Sequence, residues 1–138
     1  MFRLSIVTPE KVCIDADVKS LTAPGADGYL GVLSHHAPLI TTLKPGKIEF
    51  RDAQDVIHVM AVTNGFLEIS ANRATILADA AENASEIDIA RARAAYDRNR
   101  ARLISAERGE TSIDLPSTQS ALERAANRIR IYNETHGK

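Results

Sequence analysis

The sequence predicts a β + α fold: an N-terminal β-sandwich over residues 1–84, then a C-terminal antiparallel two-helix hairpin over residues 85–138. Two observations carry this. Up to about residue 80, short apolar runs alternate with polar residues and are cut by turn residues at close spacing, the mark of a sandwich or flattened barrel. After residue 84 the chain turns Ala-, Arg- and Glu-rich, and its apolar residues recur at helical spacing.

The β elements follow in order. Phe2, Leu4 and Ile6 alternate with Arg3, Ser5 and Val7. Val12, Ile14, Ala16 and Val18 alternate with Cys13, Asp15 and Asp17, and Ala23-Pro24-Gly25 ends that run. Leu30, Val32 and Leu33 lead into a polar corner, Ser34-His35-His36, and the chain resumes at Ala37-Pro38-Leu39-Ile40. Pro38 lacks a backbone donor and suits a strand start or a sheet edge. This stretch reads as a β-hairpin with a histidine corner, closed by the turn Lys44-Pro45-Gly46. Ile48 and Phe50 precede the polar turn at 51–55, and Val56 to Val62 is a β-branched run containing His58. Asn64-Gly65 is the strongest two-residue hairpin signal. Phe66, Leu67 and Ile69, the turn Ala71-Asn72-Arg73, and Thr75-Ile76-Leu77 complete the set.

For the helices, Ser85-Glu86-Ile87-Asp88 fits a capping box, with Ser85 as cap and Asp88 reaching back. Ile87, Ala90, Ala94, Ala101 and Ile104 form a narrow stripe, mostly alanine. Residues 109–116 connect to a second helix from about Ser117, with Leu122, Ala125, Ile129 and Tyr132 on one face. Such a pair makes an antiparallel hairpin. An alanine seam buries little area, so the hairpin is expected to be marginal alone and able to detach.

Composition narrows the function. At 138 residues the chain is one domain, or a small domain plus an appendage. The formal net charge of −1 argues against a general nucleic-acid binder. The charge is unevenly spread: residues 1–85 hold 7 Lys+Arg against 10 Asp+Glu, and residues 86–138 hold 10 against 8, nine of those cations being arginine. No apolar run approaches the roughly 20 residues of a membrane span, and the N-terminus lacks signal-peptide organisation, so direct membrane insertion is not expected and a cytoplasmic chain starting at Met1 is. The lone Cys13 excludes an internal disulfide and a cysteine-cluster zinc site and reads as a small core residue. There is no P-loop, nucleophile elbow, zinc-protease or dinucleotide fingerprint. Gly25, Gly28 and Gly31 lie among strand residues and read as turn glycines. His35-His36 lacks a second ligand cluster, and neighbours on a strand face opposite ways, so no metal site is assigned.

Residues 28–46, GYLGVLSHHAPLITTLKPG, resemble the N-terminal domain of the epsilon subunit of bacterial F-type ATP synthases. The family's familiar form there is Gly-x-Leu-Gly-(Ile/Val)-x-Pro-Gly-His-Ala-Pro-Leu-(Ile/Leu)-Thr-x-(Ile/Leu)-Lys-Pro-Gly. Ser34-His35 replaces Pro-Gly. Thr63 to Ile69, Asn72 to Glu82, and Ile87 to Ala92 also match family patterns, in the family's order.

The resemblance implies a non-catalytic central-stalk (rotor) subunit, peripheral on the cytoplasmic face of the bacterial inner membrane, coupling proton transport to ATP synthesis. It implies contact with the gamma subunit through the His35–His36 corner, where His36 takes the place of the motif's histidine. Against this stands a plain polar hairpin tip. Tyr29 stands where several relatives carry an acidic residue facing the membrane c-ring, so a charge-based contact is not implied there. The hairpin is expected either to fold down or to extend along gamma, where its basic helices would meet catalytic beta subunits and block ATP hydrolysis.

Asp88 and Arg91 belong to a motif that some members use to bind ATP and others use poorly. By resemblance, Arg91, Arg98, Arg124 and Arg128 would contact phosphates, with Glu82, Ile87, Asp88 and Ala92 near base and sugar. No cofactor is required; ATP would be a regulatory ligand. The plainer reading makes Asp88 a helix cap and the arginines a solvated face. The rival of another class is a free-standing ATP-sensing module with an Arg-lined hairpin and no rotary partner.

Overall fold

In the computed structural model, which describes residues 1–136, seven strands are followed by two helices: β1 (Phe2–Val7), β2 (Val12–Gly25), β3 (Gly28–Val32), β4 (Leu39–Leu43), β5 (Gly46–Asp52), β6 (Ile57–Ser70), β7 (Arg73–Asn83), α1 (Ile89–Glu107) and α2 (Leu115–His136). A single 3-10 turn, Ala84–Glu86, precedes α1. The chain divides into two compact units, Met1–Asn83 and the part from Ala84 onward.

The first unit is a sandwich because two of its strands are too long for one layer. β2 and β6 each run 14 residues. β2 pairs with β1 through its first half and with β5 and β3 through its second. β6 pairs with β5 from Ile57 to Val62, then with β4 from Gly65 to Ile69. β1 closes the ring, lying antiparallel to β2 and parallel to β7. The alternation read from the sequence gives most of the inward set, but Val12, in phase with Ile14 and Val18, faces outward across the irregularity between Ile6 and Val7. Phe2, Leu4, Ile6, Val18, Leu21, Val32, Ile48, Phe50, Val62, Leu67, Ile69 and Ile76 belong to one core, aliphatic apart from its two phenylalanines, with Cys13 packed against it.

Two turn assignments change, and the turn read at Ala71-Asn72-Arg73 holds. Residues 28–43 are not a hairpin. β3 pairs with β2 and β4 pairs with β6, so residues 33–38 carry the chain between two different partners. The histidines therefore sit in an irregular link, not on opposite faces of a strand. Asn64-Gly65 is not a hairpin turn either, but lies inside β6 where its neighbour changes from β5 to β4. Asn64 takes φ 26° and Gly65 φ 158°. The two-residue β6–β7 turn is Ala71-Asn72, with φ 51° and 59°, the all-positive geometry of a type I′ hairpin.

The β5–β6 turn is organised by one carboxylate. Asp52 Oδ1 accepts from the Gln54 and Val56 amides at 2.9 and 3.0 Å. Its Oδ2 lies 2.8 Å from His58 Nε2, whose ring stacks on Phe50. The His58 hydrogen bond, then that from Val56, holds the Asp52 carboxyl below the ordinary aspartate value of 3.8. A lowered folded-state value means that this contribution to stability is present above the unfolded value and lost as pH falls through the folded one. Asp52→Asn is therefore expected to lower Tm at neutral pH and to flatten its acid dependence. Tm followed from pH 7 down to about 2 for both proteins checks this, and parallel curves would count against it.

In the helical unit, Asp88 rather than Ser85 is the α1 cap. Its carboxylate accepts from the Arg91 amide at 3.0 Å, and Ser85 lies in the 3-10 turn before it. α2 starts at Leu115, earlier than the sequence predicts. Asp114 accepts from the Ser117 amide, and Pro116 fits the first turn, where an amide has no helical partner. The seam on α1 is also out of phase with the expected stripe. Ala92 and Asn99 are buried and Tyr96, Leu103 and Ala106 half-buried, whereas Ala90, Ala94, Ala101 and Ile104 are exposed. The buried set repeats at four, three, four and three, but a central asparagine conceals it from an apolar count. On α2 the expected face holds only in part: Ala125 is buried and Leu122, Ile129 and Tyr132 half-buried, but Asn127 and Ile131, off that face, are buried most deeply.

Candidate functional site

The register of the sandwich builds an outer face that no single strand reveals. Val12 pairs with Val7, Val7 with Leu77, Leu77 with Phe66, and Phe66 with Thr42. Directly paired residues share a face, so Val12, Val7, Leu77 and Phe66 form an apolar row crossing four strands, ending on Thr42 of a fifth. Val12 is 62 % exposed, Leu77 53 % and Phe66 54 %. The next row carries Asp15, Ser5, Thr75, Glu68 and Ile40. Five strands span about 19 Å, the length of about 13 helical residues. A contiguous exposed apolar row of this kind marks a docking surface. Phe66 and Leu77 read from the sequence as strand residues; their meeting depends on register, which alternation alone does not fix.

The histidine link leads into β4 beside this face. His35 has φ 62°, and its amide donates to Asn72 Oδ1 at 2.7 Å. Asn72 Nδ2 donates to the Met1 carbonyl at 3.0 Å, so one asparagine side chain ties the link, the β6–β7 turn and the N-terminus together. The sequence marks Asn72 as a turn residue and as the start of a family-matching stretch, but gives no sign of this tethering role. The His36 ring nitrogen Nδ1 lies 2.7 Å from the Ala37 carbonyl. His35 is exposed and His36 half-buried. Tyr29, 57 % exposed, uses its hydroxyl to accept from the Lys47 amide at 3.0 Å. It braces the start of β5 while most of its surface stays exposed.

The nucleotide candidates divide between the units. Glu82 lies in β7 and is half-buried. In the helical unit, Ile87 and Ala92 are buried, Asp88 caps α1, and Arg91, Arg98 and Arg124 are exposed, with Arg128 half-buried. At 100° per residue, Arg91 and Arg98 flank the Ala92–Asn99 stripe on one side, and Arg124 and Arg128 flank Ala125 on one side. In an antiparallel pair these are the same flank of the hairpin. The opposite flank carries a shallow, mainly apolar groove lined by Tyr96, Ala126, Ile129 and Arg130. The structure thus puts the four arginines on one side of the hairpin.

Comparison with known proteins covers both units. Residues 1–84 match the family described as ATP synthase, Delta/Epsilon chain, beta-sandwich domain. Residues 85–133 match ATP synthase, Delta/Epsilon chain, long alpha-helix domain. An ATP synthase epsilon chain of Desulforamulus reducens is 45% identical over 128 residues, 93% of this chain and 94% of the relative. Another, of Protochlamydia amoebophila, is 42% identical over 136 residues, 99% and 90% of the two chains. Among solved structures, a chain of the Euglena gracilis mitochondrial ATP synthase superposes with a TM-score of 0.76 at 21% identity, over 90% of this chain and 76% of that one. At that identity the likeness concerns the fold. No described helix is long and apolar enough to cross a membrane.

Proposed function

Since the chain belongs to the ATP synthase epsilon-chain family, we propose that it is a non-catalytic central-stalk subunit that couples rotor rotation to ATP synthesis. In this reading it docks on the gamma subunit and the c-ring at the cytoplasmic face of the bacterial inner membrane, as a peripheral subunit. The exposed row Val12–Val7–Leu77–Phe66 carries the reading, because a rigid sandwich with a long apolar stripe is built to be covered. The stripe, with the adjoining His35–His36 link, is assigned to gamma. Tyr29, at a different edge, is assigned to the ring through its aromatic surface. Phe66→Asp with Leu77→Asp is expected to weaken binding of the purified chain to gamma by at least about 100-fold while its β-type circular dichroism is retained. Undiminished binding by a folded double variant would remove the assignment.

The helical unit supplies regulation. Extended, its arginine-rich helices meet acidic segments of the catalytic beta subunits and inhibit hydrolysis. Folded, the flank bearing Arg91, Arg98, Arg124 and Arg128 receives ATP, whose phosphates relieve the repulsion of clustered guanidinium groups, with Glu82, Ile87, Asp88 and Ala92 serving base and sugar. ATP near 100 times its Kd adds about 2.7 kcal/mol to the state that binds it. Arg124→Ala and Arg128→Ala are each expected to reduce the ATP-induced thermal shift, and lysine to restore it only in part, since it keeps charge but not the fork. Absence of a shift in the unaltered chain at millimolar ATP would leave these arginines to the beta-subunit contact alone.

A further inference from the structure

Buried polar side chains concentrate in the helical unit. Of the four among the described residues, Thr63 belongs to the sandwich, while Asn99, Thr118 and Asn127 belong to the helices. Asn99 is the central residue of the α1 stripe and only 4 % exposed. Thr118 opens the matching α2 stripe of Thr118, Leu122, Ala125, Ile129 and Tyr132 and is 5 % exposed. A buried asparagine in a helical seam ordinarily specifies register by bonding across it, at a cost in stability. Asn99 does not bond across. Its Nδ2 donates to the Ala95 carbonyl one turn back in its own helix, at 2.8 Å, and this is its one side-chain hydrogen bond among the described residues.

We propose that Asn99, assisted by Thr118, sets the opening equilibrium of the hairpin. The bond to Ala95 survives separation of the helices, so it contributes nothing to holding them together. The apolar area that leucine would bury at this position is missing, and the adjoining stripe residues Ala92 and Ala125 are too small to replace it. The seam is thus shaped to close but weakly held. This concerns the free chain and does not depend on gamma docking or on ATP.

The test is amide hydrogen exchange on the full chain, without partner or nucleotide, comparing the unaltered protein with Asn99→Leu and Thr118→Val. When closing outpaces exchange, protection reads the population of the open state. Asn99→Leu is expected to slow exchange in α1 and α2 by at least about tenfold, with β6 and β7 unchanged. Thr118→Val, nearly the same shape, is expected to slow it a few-fold. If leucine overpacks the seam and speeds exchange, the valine variant decides: slower exchange supports the proposal. Exchange unchanged or faster in both variants overturns it.

Discussion

Gly65→Ala is expected to lower the stability of the sandwich by more than about 3 kcal/mol, enough to unfold a domain of ordinary marginal stability. Two penalties combine. At φ 158° a side chain is strained. The space a Cβ would take is also already filled by the backbone of β7, with the Ala78 Cα 2.8 Å away and the Leu77 carbonyl oxygen closer still. Neither can rotate aside, and both belong to the ladder that holds β7 to β6. The site is where β6 leaves β5 for β4, so a shift there disturbs both layers. Urea unfolding followed by β-type circular dichroism checks this, and a variant within about 1 kcal/mol of the original would show that β7 can yield.

Ile76→Ala is expected to cost about 2–5 kcal/mol, whereas Ile104→Ala should cost less than about 1. Both remove the same atoms. Ile76 is fully buried, paired with Ile6 and Leu67 on neighbouring strands, and loses its contacts to a cavity. Ile104 is 40 % exposed and loses mainly solvated surface. Denaturant midpoints of the two variants measure the contrast. Equal losses would mean that Ile104 carries packing that its exposure does not show.

Ile104 also shows where the sequence stops being legible. Two-residue alternation marks the inward residues of β1, β5 and β7 because water lies on one side of each strand. The arginine-rich change of composition after residue 84 is equally plain. The α1 seam is not legible because an apolar count cannot include Asn99, and three exposed alanines with Ile104 make a better-looking stripe. Asn64-Gly65 was misread because the same permissive backbone that makes a turn also lets a long strand bend where another backbone passes close. The histidine link reads as a hairpin because proximity in sequence does not reveal partner exchange. The candidate site was only half visible. His35, His36 and Tyr29 stand out as residue types, but Phe66 and Leu77 gain their meaning from register, and Asn72 from bonds to the distant His35 amide and Met1 carbonyl.

The parallel pairing of β1 with β7 has a consequence for synthesis. Arg3 faces Arg73 and Val7 faces Leu77 in that ladder, and Asn72 reaches back to the Met1 carbonyl. The first strand leaving the ribosome can thus find one of its two neighbours only when the last strand has also emerged. Contacts between the ends of a unit are closed late, because the intervening loop entropy must be overcome first. Until then one flank of β1 and one flank of β6 lie open as unpaired strand edges, which recruit other chains. The interval before β7 arrives is when the nascent chain most needs shielding.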